Sequence, residues 1–88
     1  MTATSKINLR HKSGTNWIVG TVYGLEVQAK VYDEPSQFGM ELDRRISKLW
    51  VRSPGFGVLY NYDRGLDFDL LNTEGLTMVV AAVARMIR

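Results

Sequence analysis

Four carboxylates in one short segment are the first residues that could do chemistry. Asp33 and Glu34 follow a β-rich run, and Glu41 and Asp43 come later in the same segment. Paired carboxylates can bind a hard cation or transfer a proton in general acid–base catalysis. The spacing of an EF-hand loop is absent, and carboxylates in loops are usually solvated. We therefore predict exposed loop carboxylates here, with no metal site and no catalytic residue.

A second cluster is formed by arginines. Arg44 and Arg45 come just before the third β-rich run, and Arg64 follows the fourth. In an antiparallel hairpin of these two runs, Arg45 would face Arg64. Like charges opposite each other cost energy unless an anion or a carboxylate lies nearby. We expect the 33–43 segment to supply that carboxylate.

Aromatic and basic residues alternate on the β-rich runs. Trp50 lies between Lys48 and Arg52, and the first two runs carry Trp17 and Lys30. Trp and Arg are enriched at protein interfaces, whereas proteins that bind single strands stack bases on aromatic rings and contact phosphates with cations. A Trp can also simply cover the edge of a core. We favour protein contact, with nucleic acid as an alternative.

The composition excludes several classes of chemistry. The 88 residues include no Cys and one His, which removes disulfides, thiolate zinc sites, iron–sulfur clusters and a cysteine nucleophile. A domain of this size buries only about 60 to 65% of its unfolded surface, so little interior remains for a large cofactor. The formal net charge of +2 is close to neutral. We predict a non-enzymatic protein without a cofactor.

The first two β-rich runs predict a hairpin with a definite register. A two-residue loop at Tyr23 and Gly24 places Ile18 opposite Ala29. One face is then almost wholly apolar and the other is mixed, as in a sheet that meets water on one side. A shift of one residue would mix the two sets. The apolar face comprises Ile18, Gly20, Val22, Leu25, Val27, Ala29 and Val31.

The third and fourth runs predict a second hairpin. Pro54 and Gly55 suit the centre of a type II turn, which pairs Arg52 with Gly57. This register places Leu49 opposite Tyr60 on the apolar face. It also places Ile46 off the apolar face and opposite Asp63.

A helix and two weaker strands complete the predicted fold. Residues 66–70 alternate as a short strand, residues 6–11 allow an edge strand, and Asn72 or Thr73 caps a helix to Ile87. The apolar stripe of this helix must cover the apolar sheet face. The predicted class is α+β: an antiparallel sheet of four to five strands, built from two β-hairpins, with one C-terminal amphipathic helix packed on one face.

The predicted domain organisation is simple. Residues 1–15 form a flexible N-terminal lead or edge strand, and residues 16–88 form a single α+β domain. The irregular loop at 33–43 is a candidate contact site, since long irregular loops in compact domains are often functional. The apolar run at 78–84 is far shorter than the ~20 residues that span a bilayer. We therefore expect a cytoplasmic protein with no membrane partner.

Three short motifs lie between residues 16 and 70. They are Ala29 to Glu34 followed by Ser36, Phe38 and Gly39; Arg45 to Leu49; and Tyr62 to Gly65. Together they resemble an uncharacterised family of short proteins that phages, prophages and bacteria encode. The resemblance implies no catalytic residue. It implies a small accessory protein, of a kind that commonly inhibits or binds larger host machinery, including defence systems.

The leading hypothesis is a binding protein of phage or mobile-element type. It would inhibit a host protein or protein complex, such as a component of a defence system, by occlusion in the bacterial cytoplasm. One alternative is a single-stranded nucleic-acid-binding module, and another is an oligomeric sponge for a nucleotide or signal molecule; a homo-oligomer is compatible with each. The predicted partner-binding residues are Trp17, Lys30, Asp33, Glu34, Phe38, Arg44, Arg45, Lys48, Trp50, Arg52 and Arg64.

Overall fold

A computed structural model describes residues 6–37, 39–63 and 65–87. Within them the sheet strands are antiparallel and lie in chain order from β1 to β6. This confirms the predicted α+β class. The described sheet has six strands because the N-terminal lead also pairs with β2. The elements are β1 (Ile7–His11), β2 (Trp17–Val22), β3 (Leu25–Val31), β4 (Ile46–Ser53), β5 (Gly57–Asp63), β6 (Leu66–Asp69) and α1 (Thr73–Ala84).

The helix α1 packs on the apolar face of the sheet, where it contacts β1 and β2. It begins after the N-cap Asn72, whose side-chain oxygen accepts a hydrogen bond from the Gly75 amide at 2.7 Å. It ends at Ala84, before the predicted end at Ile87, because the last amides bond three residues back in a tighter turn. No helix of the described segments is long and apolar enough to cross a membrane.

The first hairpin has the predicted register. Ile18 lies opposite Ala29, and Trp17 lies opposite Lys30. The predicted apolar residues form most of the core. Residues that are at most 6% exposed are Ile18, Val22, Val27, Ala29, Val31, Met40, Ile46, Ser47, Leu49, Val51, Tyr60, Val79, Val80, Ala82 and Val83.

The predicted register of the second hairpin is wrong by two residues. The turn pairs Ser53 rather than Arg52 with Gly57, and an extra residue, Leu59, then bulges out of β5, so that Leu49 faces Tyr62. The positive φ of Gly57, +90°, fits a turn of this kind. Because side chains alternate with period two, a total shift of two residues leaves both β5 tyrosines on the helix side.

A second irregularity corrects the prediction for Ile46. The register between β3 and β4 shifts after Lys30, so that Val31 faces Ile46 and Ser47 is the extra residue. Ile46 is therefore fully buried in the core. Its predicted place opposite Asp63 is taken by Lys48. The predicted pairing of Arg45 with Arg64 cannot be compared with the structure, because Arg64 lies outside the described residues.

The edge strand β1 depends on a glycine in β2. Gly20 lies opposite Leu9 and has a φ of +147°, which side chains rarely adopt. A Cβ at this position would overlap the backbone carbonyl of Asn8. The close approach of the two strands therefore requires glycine here.

We predict that Gly20→Ala destabilises the fold far more than Gly55→Ala. The added methyl group at Gly20 meets the Asn8 carbonyl and keeps a strained φ, so the free energy of unfolding should fall by roughly 2 kcal/mol or more. At Gly55 nothing lies within 4 Å of an added Cβ, and the change should stay within about 0.5 kcal/mol. Urea unfolding followed by tryptophan fluorescence measures both. Equal stability of the two variants would contradict this packing of β1 on β2.

Candidate functional site

The helix α1 covers one face of the sheet and leaves the other open. We call this open side the outer face; its side chains alternate with the core residues along β1 to β5. Cross-strand pairing arranges them in rows across the sheet. The first row is Trp17, Lys30, Lys48 and Asp63; the second is Arg10, Val19, Gln28, Trp50 and Asn61; the third is Asn8, Thr21, Glu26 and Arg52.

Five of the predicted partner-binding residues meet on the outer face. They are Trp17, Lys30, Lys48, Trp50 and Arg52, and all five are half-buried. Their neighbours on adjacent strands shield the lower part of each side chain, which restricts the rotamers available to it. The sheet therefore presents these aromatic and basic groups in a fixed arrangement.

Two shallow depressions mark the centre of the outer face. The smaller, of about 280 Å³, lies between Trp17 and Trp50 and is also lined by Gln28, Asn61 and Lys48. The larger, of about 460 Å³, shares two of these residues, Trp17 and Gln28. It continues towards the edge strand, where Arg10 and Lys12 line it. The two tryptophans, amide side chains and cations thus border two adjacent depressions, which Glu26 and Asp63 also line. We call this pair of depressions the hollow of the outer face.

The charges on the outer face are only partly balanced. Lys48 lies 3.5 Å from the Asp63 carboxylate, and Arg52 donates to the Glu26 carboxylate at 2.9 Å. Such exposed pairs contribute little to stability. By contrast, the described residues hold no salt-bridge partner for three cations around Trp17. These are Arg10, Lys12 and Lys30.

The cation Lys30 has an unfavourable neighbour. It lies directly opposite Lys48 in the first row, and like charges at that position repel. Asp63 compensates one of the two charges. The ammonium of Lys30 lies 5.9 Å from the centre of the Tyr32 ring, where a cation–π contact offsets a small part of the repulsion. An anion bound between the two lysines would remove it.

The loop at 33–43 supplies the carboxylate predicted for Arg45. The guanidinium donates two hydrogen bonds to Asp43, from Nη2 at 2.6 Å and from Nε at 2.9 Å. The hydrogen bond from Arg45 lowers the pKa of the Asp43 carboxyl, and the same bond raises the pKa of Arg45. This bidentate pair braces the loop beside β4. The guanidinium of Arg45 therefore has a structural role in the loop.

Other predicted site residues lie apart from the hollow. Asp33 and Glu34 are exposed after β3, and Arg44 donates to the Gln37 carbonyl at 3.4 Å. None of the three lines the two depressions of the outer face. The predicted residues Phe38 and Arg64 lie outside the described residues. No group of three potential metal ligands occurs in the described part of the chain.

Part of the basic surface is absent from the predicted site residues. Residues 1–15 are predicted as a flexible lead or edge strand, and neither Arg10, on the outer face of β1, nor Lys12 beside it is among the predicted partner-binding residues. The signal was available, because Ile7 and Leu9 alternate with Asn8 and Arg10. A strand at this position places the polar members of the alternation on the outer face.

Comparison with known proteins gives one match. A sequence model described as a domain of unknown function, DUF7678, covers residues 16–87. The chain belongs to this family. No curated protein and no solved structure matches it. Membership of DUF7678 confirms that the chain is part of an uncharacterised family. The resemblance carried by the three motifs and the phage origin stay predictions.

We predict that Asp43→Asn destabilises the fold in a pH-dependent way. Because the pKa of Asp43 is lowered in the folded state, its ion pair stabilises the protein above the ordinary aspartate pKa of about 3.9, and this contribution is lost as pH falls through the lower folded value. The variant should have a lower urea midpoint than the wild type at neutral pH, and the two midpoints should converge in acid.

The matched control is Asp33→Asn, an exposed carboxylate in the same loop for which no salt bridge is found among the described residues. Its urea midpoint should follow that of the wild type at neutral pH. If Asp43→Asn were as stable as this control at neutral pH, the loop would not depend on the pair with Arg45.

Proposed function

We propose that this protein is a non-enzymatic binding protein that covers a site on a larger macromolecule with its outer face. The observation that carries the proposal is the arrangement of Trp17 and Trp50 beside uncompensated cations on the open side of the sheet. A tryptophan presented to solvent leaves apolar surface in water, and covering it releases that water. Contact with a partner would bury this apolar surface of Trp17 and Trp50.

The dimensions of the molecule suit such a contact. The two larger extents of the molecule are 43 and 28 Å. A standard interface buries about 800 Å² on each partner. One open sheet face can provide this area, whereas the hollows on it are too shallow to enclose a large cofactor. Recognition over a surface is thus favoured over a reaction in a cleft.

The biological setting is part of the same proposal. The macromolecule would belong to the bacterial host of a phage or mobile element, such as a component of a defence system, and the protein would inhibit it by occlusion in the cytoplasm. The support for this setting is the resemblance of the motifs at residues 29–34, 45–49 and 62–65 to small phage-type proteins. The outer face supports the binding role without reference to that setting.

We predict that a double variant, Trp17→Ala with Trp50→Ala, loses its partner. The purified full-length protein, immobilised, should capture a partner from lysate of the bacterium that carries the gene, in a near-stoichiometric amount. Loss of two interfacial tryptophans should weaken this capture by roughly 2 kcal/mol or more, enough to remove the band. Quantitative mass spectrometry of the eluates measures it, with and without nuclease treatment of the lysate.

The control for this experiment is Leu70→Ala. Leu70 is 68% exposed and follows β6, outside the hollow of the outer face. This variant should capture the partner as the wild type does. If a partner binds the double variant as strongly as the wild type, the contact does not involve the two tryptophans. Circular dichroism of both variants checks that they are folded.

A further inference from the structure

The charges and rings on the outer face specify the chemistry of the partner more closely. Resting on the proposed function, we infer that the outer face binds single-stranded nucleic acid. Bases stack on Trp17 and Trp50, and phosphates bind the cations around Trp17.

The sign of the charge favours a polyanion. Arg10, Lys12 and Lys30 have no salt-bridge partner in the described segments, and Lys30 faces Lys48 across the strands. Asp63 balances the charge of Lys48, so Lys30 is the member of this pair that has no carboxylate beside it, and like charges in register repel. A phosphate chain that passes from Lys30 towards the edge strand would meet all three uncompensated cations in turn. A protein surface of mixed charge would leave some of them unpaired.

The two tryptophans are placed for a chain of bases. Trp17 is on β2 and Trp50 on β4, two strands apart and one row apart. Strands lie about 4.8 Å from each other, so the backbone positions that carry the two rings are about 10 Å apart across the sheet. An extended single strand can therefore place one base on each ring without bringing its phosphates together. A duplex hides the flat faces of its bases and cannot stack in this way.

Amide groups lie beside the rings. The side chain of Gln28 separates the two tryptophans, and that of Asn61 lies opposite Trp50. An amide offers both a donor and an acceptor, which suits the polar edge of a base that is stacked on a neighbouring ring. The first two rows of the outer face thus combine rings on which bases can stack, amide groups that can bond to the edge of a base, and cations that can bind phosphates.

The test uses the purified full chain and labelled oligonucleotides. Fluorescence anisotropy is measured with oligo(dT) and oligo(U) of about 12 nucleotides, a length within the range bound by single-strand modules. We expect saturable binding that weakens with salt, with a slope of log affinity against log salt of roughly −2 for three phosphate contacts. A DNA duplex of equal length should bind more weakly than either single strand.

Single variants separate the two kinds of contact. Trp17→Ala and Trp50→Ala should each lower the affinity by roughly tenfold, and Trp50→Phe, which keeps a ring, should restore most of it. Lys30→Gln should weaken binding and reduce the magnitude of the salt slope by about 0.7, the value for one phosphate contact on a single strand. Phe56→Ala is the matched aromatic control, since Phe56 is 89% exposed in the turn between β4 and β5. It should bind as the wild type does.

Tryptophan emission provides an independent readout. The sequence contains two tryptophans, and both lie on the outer face. Stacked bases should quench them, so each single-tryptophan variant reports on the other ring. Quenching in Trp17→Ala and in Trp50→Ala would place bases on both rings.

The outcomes distinguish this inference from the proposed function. If neither oligonucleotide binds at low salt, the inference is overturned. If a protein is still captured from nuclease-treated lysate, and its capture requires Trp17 and Trp50, the proposed function is upheld with a protein partner. If oligonucleotides bind but the tryptophan and Lys30 variants bind equally well, the outer face is not the site and the inference is overturned as well.

Discussion

In the described part of the chain one helix packs on a six-stranded sheet, and it can cover only one of the two faces. Helix α1 spans 12 residues and contacts β1 and β2, while the loop that contains Met40 contributes to the cover of the same face. Every strand residue must therefore belong either to this covered core or to a face that meets solvent. In so short a chain the open face is a large share of the surface, and what stands on it decides how the molecule meets others.

The alternation along strands explains how much of this arrangement is predictable from the sequence. The first hairpin is predictable in full, because a two-residue turn fixes its register and a slip would mix apolar with polar residues. The second hairpin contains a longer turn and a bulge at Leu59. No local sequence pattern predicts either feature. The longer turn and the bulge each shift the register by one residue, and a total shift of two residues leaves every side chain beyond the bulge on its predicted face. Ile46 and Met40 enter the core through a bulge and a loop that only tertiary packing determines.

The predicted site residues are also easier to place when they lie in strands than when they lie in the loop. Residues within strands, such as Trp17, Lys30 and Trp50, fall on one face because period two places them there. Residues in the loop are a different case, since an ion pair between Asp43 and Arg45 can form locally and turn a charge that looks available into a structural one. A run of charged residues in a loop is thus weak evidence for a binding surface, whereas a charge with a known strand register is stronger evidence.

The repulsion between Lys30 and Lys48 is informative because the fold does not need it. Their side chains lie on the outer face, so packing of the core places no demand on their charge. A ligand that binds the folded state and not the unfolded chain stabilises the fold by mass action. An anion at this pair would favour the native register of β3 and β4 over a slipped one, since a slip of β4 by one residue would turn Lys48 to the core side and separate it from Lys30. Binding and folding would then be coupled through the same strands, which carry core residues on one side and contact residues on the other.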